Sequence, residues 1–209
     1  MKKSLILCLL LAIVSIMATG CSGCQSGKKE QPKESVNYHD YDGVVQDFTA
    51  GVSHIQALHR QTVHQVLGVE KYEWRNSKVI FSDEITYENI NDLHITDVND
   101  VFFYVNEQGP WVQYVNSNVK YGLQIQWPIR DIWIEDKSLN NADIKINAED
   151  ALKRLKEWNG VIPKGAKSIS LRLPVGPKDC NAQWVLGSIS DPLFIDAVTG
   201  DISNQNPAF

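Results

Sequence analysis

Three histidines recur every five residues in one amphipathic stretch, and imidazole is a common metal ligand and general base. His54, His59 and His64 lie among apolar residues spaced three and four apart, so we expect a helix to carry them. Five residues advance a helix by about 500°, which separates successive rings by about 140°. Metal ligands on one helix stand three or four residues apart. The spacing therefore predicts separate histidines without a metal, with His59 nearest the core.

A cluster of acidic and amide residues begins like a calcium-binding loop. Asp97-Val98-Asn99-Asp100 supplies the first oxygen ligands, but Phe102 holds the sixth position and Gln108 the twelfth. A calcium loop needs Gly and Glu at those positions. We therefore predict a solvated turn at residues 97–100.

Cys180 is the only cysteine beyond the N-terminal 24 residues. The last histidine in the chain is His94, so a catalytic thiol would need a base that folding brings to it. A disulfide with Cys24 is the alternative to a free thiol in an oxidising compartment. The sequence contains no Gly-x-Ser-x-Gly, His-Glu-x-x-His or phosphate-loop pattern. We predict a free thiol in a protein that is not an enzyme and binds no metal or other cofactor.

The N-terminus has the pattern of a targeting segment. Lys2 and Lys3 precede an apolar run over residues 5–18. This run is shorter than the about 20 residues that span a bilayer, and it is typical of a secretory signal. Residues 1–20 are therefore predicted to be a signal peptide.

The residues that follow the apolar run point to a lipid anchor. Ala18-Thr19-Gly20-Cys21 resembles the lipobox of bacterial lipoproteins, with Ala18 where Leu is usual. The resemblance implies cleavage before Cys21 and its acylation with fatty acids such as palmitate, and several acyl chains anchor more firmly than one. It places the protein in the cell envelope. Ser22 is not acidic, which favours the outer membrane, facing the periplasm, if the source is diderm.

Composition separates a tether from a folded body. Residues 21–38 contain one aliphatic residue, Val36, too little apolar surface to offset the entropy of ordering. We predict a flexible tether there and a body from residue 39. Without Lys2 and Lys3, 18 basic and 25 acidic residues remain, a net charge of -7. This charge gives no support to a nucleic-acid partner or to a body lying flat on an anionic bilayer.

Hydrophobic periodicity predicts two helices, each followed by strands. The first helix covers about residues 47–67 and ends at Gly68. The second begins after Asn147, a good N-cap, and closes by Gly160. The predicted strands are residues 78–81, 101–105, 111–115, 123–127, 132–134, 168–173, 183–186 and 193–197. The turn-type residues 106–110 predict a hairpin.

This order predicts an α+β fold of two helix-plus-antiparallel-sheet units. The first unit spans residues 39–140 and the second residues 141–209. The order of elements is that of a tandem duplication, although the two halves share no clear residue motif.

The second unit resembles a known domain. Asn147-Ala148-Glu149-Asp150-Ala151 opens a helix, and Phe194-Ile195-Asp196-Ala197-Val198-Thr199-Gly200-Asp201-Ile202 closes the unit; together they resemble a PepSY-type domain. The resemblance covers about residues 146–203. It implies a small PepSY-like or cystatin-like module outside the cytoplasm, with an inhibitory or chaperone-like role.

Two further features concern structure and binding. Asp196, Thr199 and Gly200 have the types that build a tight turn, so we interpret them as structural. Trp127 and Trp133 flank Pro128-Ile129-Arg130-Asp131, which makes them the candidate for an aromatic binding surface.

We therefore expect a lipid-anchored envelope protein whose body binds a peptide or protein partner through a sheet face or edge. The alternatives are a receptor with a small-ligand pocket between helix and sheet, and a hydrolase that uses carboxylates brought together by folding.

Overall fold

Eight antiparallel strands form one sheet in the computed structural model, which describes residues 47–68 and 71–209. The strands are β1 (Glu73–Phe81), β2 (Ile95–Asn106), β3 (Gly109–Asn118), β4 (Gly122–Ile125), β5 (Ser168–Arg172), β6 (Gln183–Ser188), β7 (Asp191–Asp196) and β8 (Ile202–Ser203). The helices are α1 (Val52–Leu67) and α2 (Ala148–Glu157), with 3₁₀ turns at Phe48–Ala50 and Asn141–Asp143. The predicted signal peptide, the lipidation of Cys21 and the tether lie outside the described residues.

Helix α1 confirms the first predicted helix, with a later start. The side chain of Asp47 accepts a hydrogen bond from the Thr49 amide and caps the 3₁₀ turn, after which Gly51 separates this turn from the α-helix. The helix ends at Gly68, whose φ of 56° is left-handed, a conformation that glycine adopts at little cost. The buried face of α1 contains Val52, Ile55, Gln56, His59, Thr62, Val63 and Val66.

The hairpin predicted around residues 106–110 is present, and its connection is tighter than the sequence suggested. Asn106 pairs directly with Gly109, so that only two residues connect β2 and β3. The Asn106 side chain accepts hydrogen bonds from the Gln108 amide and from the Trp111 indole. The ladder contains ten residue pairs including Asn106–Gly109, which makes β2 and β3 the longest pairing of the sheet.

Helix α2 begins where the sequence predicted. Asn147 accepts a hydrogen bond from the Asp150 amide at 2.7 Å and is the N-cap. The helix ends at Glu157, three residues before the predicted Gly160, with Trp158 as its C-cap. Its buried residues are Ala148, Ala151, Leu152 and Leu155.

The predicted α+β fold of two helix-plus-sheet units is wrong. Strand β1 pairs with β5 over five residue pairs, from Asn76–Arg172 to Ile80–Ser168. The sheet is therefore continuous, in the order β4-β3-β2-β1-β5-β6-β7-β8, and the fold is mainly β. Two separate four-stranded sheets would each expose an additional edge of unpaired backbone groups, and the β1–β5 pairing removes both of these edges.

The strand predicted at residues 132–134 is also wrong. Strand β4 ends at Ile125, and an irregular connection follows over residues 126–140. Isolated pairs join this connection to β3 at Val112–Ile129 and to β1 at Trp74–Leu139. The alternating pattern of residues 132–134 is real, but these residues have no strand partner in the described part of the chain.

Both helices cover the same face of the sheet. His59 of α1 bonds to Asp100 of β2, which pairs with Ser77 of β1. Phe81 is four residues beyond Ser77 on β1 and lines a cavity together with Leu152 of α2. Because side chains alternate along a strand, Ser77 and Phe81 share a face, which we call the helix face.

Candidate functional site

A polar cluster occupies the core between α1 and the helix face. Nδ1 of His59 lies 2.6 Å from Oδ2 of Asp100, and Nε2 lies 2.6 Å from Oγ of Ser117. Asp100 is on β2 and Ser117 is on β3, where they pair with Val115 and Val98, respectively. Two neighbouring strands therefore present a carboxylate and a hydroxyl to one histidine. We call these three residues the buried triad.

Neighbouring side chains complete the hydrogen bonding of this cluster. The Trp74 indole donates to the second oxygen of Asp100 at 3.1 Å. The Arg60 guanidinium lies 4.7 Å from the centre of the Trp74 ring, a cation–π distance. Burial lowers the pKa of Arg60, and the charge of Asp100 partly offsets this effect. Both carboxylate oxygens of Asp100 thus have donors, as a buried charge requires.

The order Ser-His-Asp is that of a hydrolytic triad, but access to it is missing. His59 and Ser117 are 0% exposed and Asp100 is 1% exposed. In the neutral ring, Nδ1–H donates to Asp100 and Nε2 accepts from the Ser117 hydroxyl. The distances allow proton transfer from Ser117, yet a substrate carbonyl cannot reach Oγ in this arrangement. The cluster therefore holds α1 on β2 and β3.

Sequence reasoning identified one member of this cluster. The prediction that His59 lies nearest the core is confirmed, since His54 and His64 are exposed. The predicted solvated turn at residues 97–100 is wrong because these residues belong to β2. The missed signal is the alternation of side chains along a strand, which places Asp100 on the same face of β2 as Val98 and Phe102.

Metal binding finds no support among the residues that the structure describes. No group of three or more His, Cys, Asp or Glu side chains there is arranged to hold a metal ion.

Asp196, Thr199 and Gly200 form a turn after β7. Oδ1 of Asp196 accepts hydrogen bonds from the amides of Val198 at 2.8 Å and Thr199 at 2.9 Å. The Gly200 amide donates to the Asp196 carbonyl, and the φ of Gly200 is 81°. Burial raises the pKa of Asp196, but hydrogen bonds from these two amides and from Asn181 and Gln183 outweigh burial and lower it. These contacts maintain the shape of the turn.

The two candidate aromatic residues have different surroundings. Trp127 is 66% exposed. Trp133 is half-buried, and its indole Nε1 is buried without a hydrogen-bond partner.

Three isoleucines of the same stretch are exposed, and sequence reasoning did not single them out. Ile129 is 51% exposed, Ile132 is 64% exposed and Ile134 is 76% exposed. Together with Trp127 they form what we call the apolar segment, residues 127–134. The signal available in the sequence was the occurrence of three isoleucines beside two tryptophans within residues 127–134.

Carboxylates lie within the apolar segment and directly after it. Burial raises the pKa of Tyr114, and the nearby charges of Asp131 and Glu135 raise it further. Arg130, the basic residue of the segment, lies beside Gly109. Its guanidinium is 3.3 Å from the position that a Cβ on Gly109 would occupy. The surroundings of Ile132 are therefore acidic.

A cavity of about 340 Å³ lies between α2 and the sheet. Its lining is Phe81, Ile90, Asn91, Leu93, Ile95, Ala148, Glu149, Leu152 and Lys153. Oε1 of Glu149 also accepts the Val52 amide at 2.8 Å, so Glu149 links α2 to the start of α1. The cavity has the size of a small-molecule site.

Cys180 is a half-buried free thiol, as predicted. Burial raises the pKa of its thiol, and Lys137 only partly compensates. A raised pKa reduces the fraction of reactive thiolate, which speaks against a nucleophilic role.

Neither helix in the described ranges is long and apolar enough to cross a membrane. No protein-family model, no curated protein and no solved structure matches this chain.

Proposed function

We propose that the protein is a lipid-anchored cell-envelope protein whose body is a non-catalytic module that binds a peptide or protein partner. The observation that carries this proposal is the apolar segment, with Ile129, Ile132 and Ile134 each more than half exposed. Single exposed apolar residues are ordinary on a protein surface. Four in eight successive residues make a patch of the kind that partners cover.

The remaining parts of the proposal rest on the sequence. The lipobox resemblance assigns acylation to Cys21, which would hold the body at a membrane, the outer membrane if the source is diderm. The PepSY-like resemblance adds an inhibitory or chaperone-like effect on the partner. Burial of the triad supports a non-catalytic role because the one Ser-His-Asp arrangement identified is sealed within the core.

Site-specific photo-crosslinking in the native cell tests the proposal. A benzophenone amino acid replaces Ile132 or Ile134 in the full chain, and Val161, which is 81% exposed, is the matched control. We expect discrete protein adducts from positions 132 and 134 and none of these adducts from position 161. The same adducts from all three positions, or no protein adduct from the segment, would overturn the proposal.

The cavity beside α2 supports a second candidate function, that of a small-ligand receptor. Its lining combines apolar side chains such as Phe81 and Leu152 with the charged residues Glu149 and Lys153. Native mass spectrometry of protein purified from its own envelope would detect a retained ligand. A ligand that is present in the wild-type protein and lost in Leu152→Trp would favour the receptor over the binding module.

A further inference from the structure

We propose that residues 131–134 accept an added β-strand from the partner, an extended peptide with apolar residues at alternating positions and basic residues near its ends. This inference rests on the proposed function, because it names the partner chemistry for the same surface. It follows from the unpaired amides and carbonyls of these residues as well as from their exposed apolar side chains.

The exposure of the side chains alternates over residues 132–134, as it does along a strand. Ile132 and Ile134 are 64% and 76% exposed, whereas Trp133 between them is half-buried, with its ring nitrogen inside the protein. Alternation with a period of two is the property of an extended chain. The inward Trp133 fixes which side chains point outward.

Most backbone groups of residues 132–134 lack partners in the described structure. The amides of Trp133 and Ile134, and the carbonyls of residues 132–134, make no hydrogen bond to any described residue. The Ile132 amide bonds only to the adjacent Asp131 side chain, at 2.7 Å.

Hydrogen bonds hold the chain on both sides of this unpaired stretch. Ile129 exchanges two backbone hydrogen bonds with Val112, and the Lys137 amide donates to the Leu173 carbonyl. Residues 131–134 are therefore held on both sides and carry vacant backbone donors and acceptors, which is a template for strand addition.

The unpaired backbone groups distinguish among three kinds of binding partner: a lipid bilayer, a helix and an extended peptide. A lipid bilayer would cover the isoleucines but leave the amides and carbonyls without hydrogen-bond partners, which is unfavourable in hydrocarbon. A docked helix has used its own backbone groups internally and offers only side chains. An extended peptide covers Ile132 and Ile134 and also pairs the backbone.

The carboxylates beside Ile132 and Ile134 favour basic residues near the ends of the peptide. Asp131 and Glu135 border the isoleucines on either side, and both act on Tyr114. Glu135 faces Arg172 at 3.9 Å, and no salt bridge to Asp131 is present in the described residues. The local charge is therefore complementary to lysine or arginine, which would add specificity and a salt-dependent association rate.

Titration of the full chain with a designed peptide tests the inference. The probe is a seven-residue peptide of alternating lysine and valine with blocked termini, and two analogues carry N-methyl groups on either the valines or the lysines. Neighbouring strands bond through alternate residues only. We therefore expect one analogue to bind like the parent and the other at least tenfold more weakly, with amide NMR shifts at Trp133 and Ile134.

Protein variants provide the controls. Ile132→Asp and Ile134→Asp should each weaken binding of the probe at least tenfold, whereas Val161→Asp should leave it unchanged.

Equal binding by both N-methyl analogues, with loss only in the isoleucine variants, would mean that the peptide docks through side chains. This result would overturn strand addition and leave the proposed function intact. Failure of the parent peptide to bind, or equal weakening by Val161→Asp, would also overturn strand addition. The photo-crosslinking experiment tests the proposed function independently of these peptide titrations.

Discussion

Nε2 of His59 lies 2.6 Å from Oγ of Ser117, and both side chains are completely buried. With Asp100 on the opposite side of the ring, this arrangement has the distances of a catalytic triad without a route for a substrate. Its effect is structural: one helix residue bonds to two strands, so sliding α1 along the sheet would leave buried polar groups unpaired.

Removal of the histidine is expected to destabilise the protein strongly. His59→Ala leaves the Asp100 carboxylate and the Ser117 hydroxyl in the core without their shared partner, which should cost about 3–5 kcal/mol in the free energy of unfolding. His64→Ala, at an exposed position on the same helix, should cost less than about 0.5 kcal/mol. Urea denaturation measures both variants. Equal stabilities of the two variants would show that the buried triad does not hold α1.

The buried serine is expected to be inert. A fluorophosphonate probe, which labels activated serines, should not modify Ser117 in the native full chain, because Oγ is sealed beneath α1. Intact-mass and peptide mass spectrometry would detect the adduct, with a serine hydrolase in the same reaction as positive control. Labelling of Ser117 that is lost in His59→Ala would contradict the non-catalytic proposal.

The Asp196 turn should make stability depend on pH. Hydrogen bonds lower the pKa of Asp196 in the folded state, so the charged carboxylate stabilises the fold above its unfolded pKa of about 3.9. This contribution is lost as the pH falls through the lower folded-state value. Asp196→Asn keeps an oxygen acceptor but loses the charge, and should cost about 1 kcal/mol at pH 7.

The pH dependence is the decisive part of this measurement. The stability difference between Asp196→Asn and the wild-type protein should shrink when urea denaturation is repeated at pH values below about 4. A difference that stays constant with pH would mean that the charge of Asp196 does not stabilise the turn. Asp191→Asn, at the exposed start of β7, should change stability by less than about 0.5 kcal/mol at pH 7.

The proposed lipid anchor predicts a change in fractionation. Cys21→Ser removes the thiol that would be acylated, so the protein should move from the membrane fraction to the soluble fraction or retain its signal segment. Cys24→Ser is the matched control and should leave fractionation unchanged. Mass spectrometry of the wild-type protein should show cleavage before Cys21 and a mass increase from acyl chains. An unacylated N-terminus on the native protein would refute the anchor.

The local elements were predictable because their signals are local. Asn147 caps α2 and Gly68 ends α1 as predicted, since capping depends on residues within one turn of the helix end. Ile132-Trp133-Ile134 shows the limit of such signals. Its alternation persists in the structure, but a strand also needs a neighbour, and alternation along the chain does not supply one.

The sequence by itself determined the two helices, most of the strands and the presence of the hairpin, because the periods of 3.6 and 2 are properties of short segments. Only the tertiary structure decided that β1 pairs with β5, which turns the two predicted sheets into one. It also decided that His59, Asp100 and Ser117 meet. Both outcomes join residues that are distant in the chain, and they depend on the burial of strand edges and polar groups in three dimensions.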